Sequence, residues 1–216
     1  MRLIRGLLCV STMCALGFVN ASAQGLTGRI GVGPIVGASM PIQYLKSDEG
    51  GGMAKLGFSA GVAGEYFVNE DLSVGGRLMF DKFGVDVEGD GSGSWTMIEF
   101  GVFGRYQFMP GQPTRPFARA GLLMGSAKAR SENGVEVEGS YGMSPGIELA
   151  GGVIHQLQPN LSLFGELGWT ALATDGKDID VTIDGEDVEP PIESEKHLQW
   201  VGLKVGVIFL LGGSAQ

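Results

Sequence analysis

Apolar and polar side chains alternate along eight stretches of this chain, and charged residues fall almost entirely on the polar phase. In one stretch, Ile98, Phe100 and Val102 occupy even positions, whereas Glu99 and Arg105 occupy odd ones. Successive side chains of a β-strand point to opposite faces, so each stretch predicts a strand with one apolar and one charged face. The predicted strands span residues 28–40, 56–68, 72–83, 95–108, 116–128, 146–157, 161–172 and 198–211.

The connections between these strands alternate in length. Short, turn-rich segments follow the second, fourth and sixth strands, whereas longer polar connections lie at 41–55, 88–94, 129–145 and 173–197. Outer-membrane barrels have short periplasmic turns at one end and longer loops at the other. A soluble lipocalin-type barrel also has eight strands but gives no reason for this segregation of loop lengths. The sequence therefore predicts an all-β, eight-stranded antiparallel up-and-down transmembrane β-barrel, with a soluble lipocalin-like binder as an alternative.

The first 23 residues predict a cleaved signal peptide. Arg2 and Arg5 precede an apolar run at 7–19, and Ala-Ser-Ala at 21–23 is a small-residue cleavage site. The run is shorter than the roughly 20 residues that a membrane-spanning helix needs. We therefore expect residues 24–216 to form one barrel domain, exported to the outer membrane of a Gram-negative bacterium.

Composition and charge exclude several functions. Both cysteines, Cys9 and Cys14, lie in the predicted signal peptide, so neither a disulfide nor a thiol catalyst is expected in the mature chain. Loss of Arg2 and Arg5 changes the formal net charge from −9 to −11, which disfavours nucleic acid as a partner. No cofactor and no metal are expected.

Two segments carry a family resemblance. The Gly-rich alternating segment 57–66 and the terminal segment 205–209, together with the signal peptide, resemble the small porin-like outer-membrane β-barrel family, which includes the OmpA-type transmembrane barrel. The resemblance covers 24–216 and includes no peptidoglycan-binding domain. It implies outer-membrane lipid and lipopolysaccharide as partners, and the barrel-assembly machinery as a partner of the C-terminal strand. Such barrels often end on an aromatic residue, whereas this chain continues past Phe209, so either Phe209 is an internal assembly signal or recognition differs.

The charged phase supplies a candidate network for the barrel lumen. Isolated charges there would cost on the order of several kcal/mol each, so they are expected to pair. Pairing favours a closed lumen and a structural or surface-interaction role, and the alternative is a narrow porin-like channel for ions or small solutes. Asp81 shares the phase of Arg77 and is expected to join either arrangement. The network comprises four acids and four bases: Glu65, Arg77, Glu99, Arg105, Arg119, Glu148, Glu166 and Lys204.

The longest connection is strongly acidic and resembles a calcium loop over a few residues. The spacing fails, because Ile183 stands where such a loop needs its turn glycine. Alternation at 179–183 instead predicts a strand above the membrane, with Asp-Gly at its turn. A solvated acidic loop is the first interpretation, and divalent-cation bridging to lipopolysaccharide phosphates is the second. The candidate residues are Asp175, Asp178, Asp180, Asp184, Glu186 and Asp187.

Aromatic residues mark the expected membrane interfaces. Tyr66 and Tyr106 lie at short-turn ends and Trp169 lies at a long-loop end, as the two aromatic girdles of a barrel require. Trp95 and Trp200 share the phase of charged residues, so they are expected either inside the barrel or above the bilayer.

Catalysis has little support in the sequence. The mature chain has two histidines, His155 and His197, and neither has a serine close by along its strand. Ser144 or Thr170, which are distant in sequence, stay possible nucleophiles if the fold brings either of them next to a histidine. We therefore expect no catalytic residue, with a lipid-modifying outer-membrane enzyme as a lesser alternative. The sequence identifies no extracellular partner.

Overall fold

The computed structural model describes residues 25–47, 53–85, 92–132, 136–174, 179–183, 186–188 and 196–212. The predicted signal peptide lies outside these residues. A single turn of 3₁₀ helix covers Gln43–Leu45, and no described helix has the length and apolar character to cross a membrane. The strands are β1 (Ile30–Ile42), β2 (Ala54–Phe67), β3 (Leu72–Val85), β4 (Ser92–Gln107), β5 (Thr114–Glu132), β6 (Glu136–Gln158), β7 (Leu161–Thr174), β8 (Ile179–Ile183), β9 (Glu186–Val188) and β10 (Lys196–Leu211).

Eight of these strands close into an antiparallel barrel. Strands β1 to β7 pair with their neighbours in chain order, and β10 pairs with both β7 and β1. The first and last barrel strands therefore meet at one seam. This closure confirms the predicted eight-stranded up-and-down barrel, and each predicted strand coincides with an observed one.

The outward face of the barrel is apolar around its whole circumference. One outward residue near the middle of every barrel strand is at least half exposed: Val36, Val62, Leu78, Phe100, Leu122, Leu149, Leu167 and Leu203. A water-soluble protein rarely exposes a continuous apolar surface of this extent. In a barrel that spans a bilayer this band faces lipid and the alternate residues face the lumen.

Glycine permits the close contact of strands at the seam. A Cβ atom added to Gly33 in β1 would lie 1.7 Å from the carbonyl oxygen of Val207 in β10. No side chain fits at that distance. Gly33 therefore allows the two terminal strands to approach as closely as a small closed barrel requires.

The predicted long connection at 129–145 is wrong, because most of it is strand. β5 continues to Glu132 and β6 begins at Glu136, and their backbones stay paired along this length. The extension of β6 also pairs with β8, which confirms the strand predicted at 179–183, and β8 pairs with β9. The segment is rich in Gly and Ser, which is also typical of a loop, and a register shift between Gly125 and Ala127 of β5 breaks the phase of β6 here.

Candidate functional site

The candidate site is the lumen of the barrel. All eight lumen charges named from the sequence face inward, and none is more than 6% exposed. Each belongs to a strand in which the residues on either side point outward. Strand alternation thus delivers every one of these side chains to the same enclosed space.

Five of the charges form one continuous network across β3 to β7. Arg77 Nη2 lies 3.2 Å from Glu99 Oε2 and also contacts Glu148. Arg119 Nη1 lies 2.5 Å from Glu148 Oε1, and Arg119 Nη2 lies 2.6 Å from Glu166 Oε1. Glu148 therefore joins the two arginines, and Arg119 joins two acids. This arrangement links five strands through the middle of the lumen.

A second pair lies closer to the end with the short turns. Arg105 Nη1 donates to Glu65 Oε1 at 2.7 Å, and Ser73 Oγ donates to Glu65 Oε2 at 2.6 Å. The Arg105 guanidinium also lies 4.7 Å from the ring centre of Phe117 and 5.4 Å from that of Phe164. Aromatic faces stabilise a desolvated cation. Two aromatic rings and the ion pair with Glu65 therefore both fix the position of the Arg105 guanidinium.

Asp81 and Lys204 are the remaining lumen charges that were named from the sequence. Asp81 is fully buried and accepts hydrogen bonds from Ser39 Oγ (2.7 Å) and from Ser59 Oγ. Lys204 in β10 stands opposite Glu166 in β7 and is 3% exposed. Among the described residues Lys204 forms no ion pair within 4.0 Å. Strand phase therefore predicted these charges in the lumen, but the prediction missed Arg115, which is 2% exposed on the inward phase of β5. The structure assigns the partners of the charges.

An apolar cluster, which we call the outer cap, fills the lumen at the long-loop end. Trp200 is fully buried there and packs edge-on against Phe83, with ring centres 6.1 Å apart. Leu45 reaches the same cluster from the 3₁₀ helix that follows β1. Large apolar residues on the charged phase were the available signal for this cap, and the two tryptophans already stood out there. The cap contains Leu45, Ala54, Phe83, Trp95, Met97, Leu123, Ala127, Tyr141, Leu172, Leu198 and Trp200.

A second apolar cluster closes the lumen at the short-turn end. Leu26, which precedes β1, is fully buried in it, and Phe117 packs edge-on against Phe164 at 6.4 Å. The ion-pair network thus lies between two apolar layers. Water has restricted access to it from either end.

The interface aromatics named from the sequence point outward. Tyr66 and Tyr106 are each 48% exposed at the short-turn end, where Tyr106 packs edge-on against Phe108. Trp169 is half-buried on the outer face near the other end, and its indole Nε1 donates to Gln199 Oε1 at 3.2 Å. Trp95 points into the outer cap instead.

The acidic outer loop lies almost wholly outside the described residues. Asp175, Asp178 and Asp184 are not described, and Asp180, Glu186 and Asp187 are described only as backbone in β8 and β9. Within the described part of the chain, no group of three His, Cys, Asp or Glu side chains is arranged to hold a metal. The cation hypothesis for this loop stays a prediction.

The histidines do not meet the hydroxyl groups considered for catalysis. Ser144 stands opposite Gly125 and His155 stands opposite Thr114, so eleven residues of β6 separate them, or about 36 Å. Thr170 is buried inside the barrel, whereas His197 is exposed on the opposite phase. His155 Nδ1 lies instead 2.7 Å from Thr114 Oγ1 at the exposed short-turn end.

A closed eight-stranded barrel with an apolar outer face and buried lumen charges defines an outer-membrane β-barrel protein. Residues 7–185 match the model for the outer membrane protein beta-barrel domain, and the chain belongs to this family. It is accordingly a protein of the Gram-negative outer membrane, and the soluble lipocalin-like alternative is wrong. The family resemblance found in the sequence is confirmed.

Solved structures show the same fold. Neisserial surface protein A (NspA) is 16% identical, with 83% of this chain and 96% of that chain covered and a TM-score of 0.57. OprG from Pseudomonas aeruginosa is 10% identical, with 90% of this chain and 100% of that chain covered and a TM-score of 0.58. Identities this low establish the fold alone. A comparison with curated proteins gave no match.

Proposed function

We propose that this protein is a closed, non-conducting outer-membrane barrel with a structural or interactive role at the cell surface. The observation that carries this proposal is the outer cap, which fills the lumen above the ion-pair network. Ions cross a pore only where they stay hydrated or exchange water for fixed ligands. Trp200 and Leu45, both fully buried in the cap, offer neither.

The ion-pair network supports a closed lumen for a second reason. Arg77 and Arg119 each contact two carboxylates, so their charges are already neutralised by fixed partners. A permeating ion would have to displace the carboxylates from the arginines within a buried space. This would cost roughly several kcal/mol of desolvation free energy per charge. The charges therefore act as internal crosslinks between strands.

The surface role rests on the sheet that rises beyond the apolar band. β5 and β6 stay paired out to Glu132 and Glu136, and β8 and β9 widen this sheet to four strands. Residues placed outside a membrane on a rigid barrel are well positioned to bind partners. NspA is described as a surface protein, and we infer a comparable surface role for this chain, without a catalytic one.

One observation favours a narrow channel as the second candidate. Arg77 Nη1, Asp81 Oδ2 and Glu99 Oε1 are buried and have no hydrogen-bond partner among the described protein atoms. Buried polar atoms of this kind are normally satisfied by ordered water. A continuous file of such water would form a path for small ions.

Conductance in planar lipid bilayers separates the two candidates. Protein whose folded state is verified by its heat-modifiable mobility on a denaturing gel is expected to give no steady conductance, while a general porin in the same bilayer does. A steady conductance that Arg77→Ala or Glu99→Ala abolishes would establish the channel instead. For the surface role, cells carrying the barrel with 179–188 replaced by a Gly-Ser linker are expected to keep folded protein and lose adherence to a second surface, measured as cell–cell aggregation and as attachment to a solid support. Unchanged adherence would contradict the role of this sheet.

A further inference from the structure

Three basic side chains lie together on the outer face of β3 and β5, at the long-loop end. Lys82 in β3 stands opposite Thr96 in β4, and Thr96 stands opposite Lys128 in β5, so two strand spacings, about 10 Å, separate the lysines. Arg130 follows on the same face of β5, and all three are exposed. We propose that this cluster, Lys82, Lys128 and Arg130, binds a phosphate group of an outer-leaflet lipid.

Lys82 and Arg130 line a cleft of about 310 Å³, and Lys128 lies next to it on β5. Ser94 lies between Gly84 and Arg130 in the sheet, so it brings a hydroxyl group to the cleft between its basic walls. Arginine offers a phosphate two parallel N–H donors, and lysine adds a compact charge. A water molecule occupies about 30 Å³ in the liquid, so the cleft accommodates a phosphate together with part of the sugar or glycerol that bears it. Its walls are Lys82, Phe83, Gly84, Ser92, Gly93, Ser94 and Arg130.

The height of the cluster on the barrel matches lipid headgroups. On β3, Lys82 comes two residues beyond Phe80 on the lipid-facing phase, and on β4 Thr96 comes two residues beyond exposed Ile98. The basic side chains therefore begin where the apolar band ends. At this level a lysine or arginine keeps its stem against apolar surface and its charge among headgroups.

The positive charge here departs from the composition of the chain. The whole sequence has 24 acidic residues against 15 Lys and Arg. Beside the cluster stands Glu138, which lies opposite Arg130 and pairs with Lys128 at 2.5 Å. Among the described side chains around the cluster, Glu138 is the one acid beside three bases, and it and Lys128 are 28% and 52% exposed, so both stay accessible to a ligand.

The barrel wall below the cluster favours a lipid over a free phosphate ion. The same strands carry an open apolar groove of about 840 Å³, where Gly104 and Ala120 leave an indentation between larger side chains. Thr96 and Val102 lie six residues apart on β4, so the groove begins about 20 Å from the cluster along the tilted strand. An acyl chain attached to a headgroup in the cleft would pack against the exposed apolar side chains above the groove, such as Ile98 and Phe100, whereas inorganic phosphate would make no contact with them. The proposal depends on the membrane placement of the barrel and is independent of lumen conductance.

Binding of defined lipids tests the proposal. The protein is held in octyl glucoside micelles, which carry no phosphate, with EDTA present so that divalent cations bridge nothing to the acidic loop. Diphosphorylated lipid A is the probe, with the same lipid after removal of its phosphates and inorganic phosphate as the other two arms. We expect Lys82→Gln/Lys128→Gln/Arg130→Gln to lower affinity for the phosphorylated lipid about a hundredfold. The single charge removal Lys46→Gln, at the same end but outside the cluster, is expected to have no effect.

Each other outcome contradicts the proposal. Equal binding of the dephosphorylated lipid would show apolar recognition alone, and equal affinity for inorganic phosphate would show a site for a soluble anion. Unchanged binding by the triple variant would remove the cluster from recognition. Heat-modifiable mobility verifies that the variant is folded, and Lys82→Glu alone, which reverses one exposed charge, is expected to weaken binding in the same direction.

Discussion

Replacement of Arg119 by methionine is the sharpest test of the lumen network. Arg119 is 4% exposed and holds both Glu148 and Glu166, so its loss leaves Glu166 without an ion pair in a space that two apolar layers separate from water. Removing one partner of a buried ion pair usually costs about 3–5 kcal/mol, because the other charge stays desolvated. We expect the free energy of unfolding of Arg119→Met to fall by about this amount.

The same strand provides a matched control. Lys128, also in β5, pairs with Glu138 on the outside of the barrel, where the side chains are 52% and 28% exposed. Exposed pairs contribute about 0.2–1 kcal/mol, so Lys128→Met removes the same charge at little cost. Urea unfolding of the two variants in one detergent, followed by tryptophan fluorescence and by heat-modifiable mobility, compares them directly.

A rescue experiment separates lost charge from lost packing. If the unpaired carboxylate causes the loss, Arg119→Met/Glu166→Gln recovers part of the stability, because the double variant no longer buries an unpartnered acid. If the volume of the arginine causes it, the second substitution gives no recovery. A loss for Arg119→Met no larger than that for Lys128→Met would refute the buried network as a stabilising element.

Two further predictions concern the seam and the outer cap. Gly33→Ala forces a methyl group against Val207 O and is expected to destabilise the barrel by more than about 1–3 kcal/mol, whereas Gly104→Ala, which meets nothing within 4 Å, leaves the urea midpoint unchanged or raises it. Equal midpoints for these two would contradict the close approach at the seam. Trp200→Ala empties the centre of the cap and is expected to cost about 3–5 kcal/mol in thermal or urea unfolding. Trp169→Ala, on the outer face, is expected to cost less, and a reversed order would remove Trp200 from the core.

The barrel and the membership of its lumen were predictable from the sequence because both follow from strand periodicity. A residue such as Arg119 lies on the inward phase whatever its neighbours are. Its partners were not predictable, because contact with Glu148 and Glu166 depends on the register of β5 against β6 and of β6 against β7. Register follows from the whole closed sheet, and no local pattern encodes it.

The outer cap and the raised sheet escaped prediction for different reasons. The cap mixes apolar side chains into the charged phase, so Trp95 and Trp200 were compatible with two environments until the barrel's dimensions were known. The raised segment 136–145 alternates too, but it is rich in Gly and Ser, and a register shift between Tyr141 and Ser144 breaks its phase with the rest of β6. Both features depend on whether a side chain faces lipid, water or the packed interior of the barrel, and the periodicity of the sequence alone does not distinguish these environments.

The buried charges also fix the register of the barrel. Because side chains alternate with period two, a slip of one residue in β5 would turn Arg119 towards lipid and a neighbouring apolar residue towards the lumen. An arginine on the lipid face near the bilayer midplane costs about 2–4 kcal/mol, and the slip would also break its two ion pairs. The eight charges lie on seven strands, and the four glutamates among them carry a smaller penalty, so a one-residue slip is unfavourable almost everywhere in the barrel. The charges therefore oppose one-residue slips during assembly, and the ion pairs add a preference for the native partners, which is a physical role for lumen charges that requires neither a substrate nor an open pore.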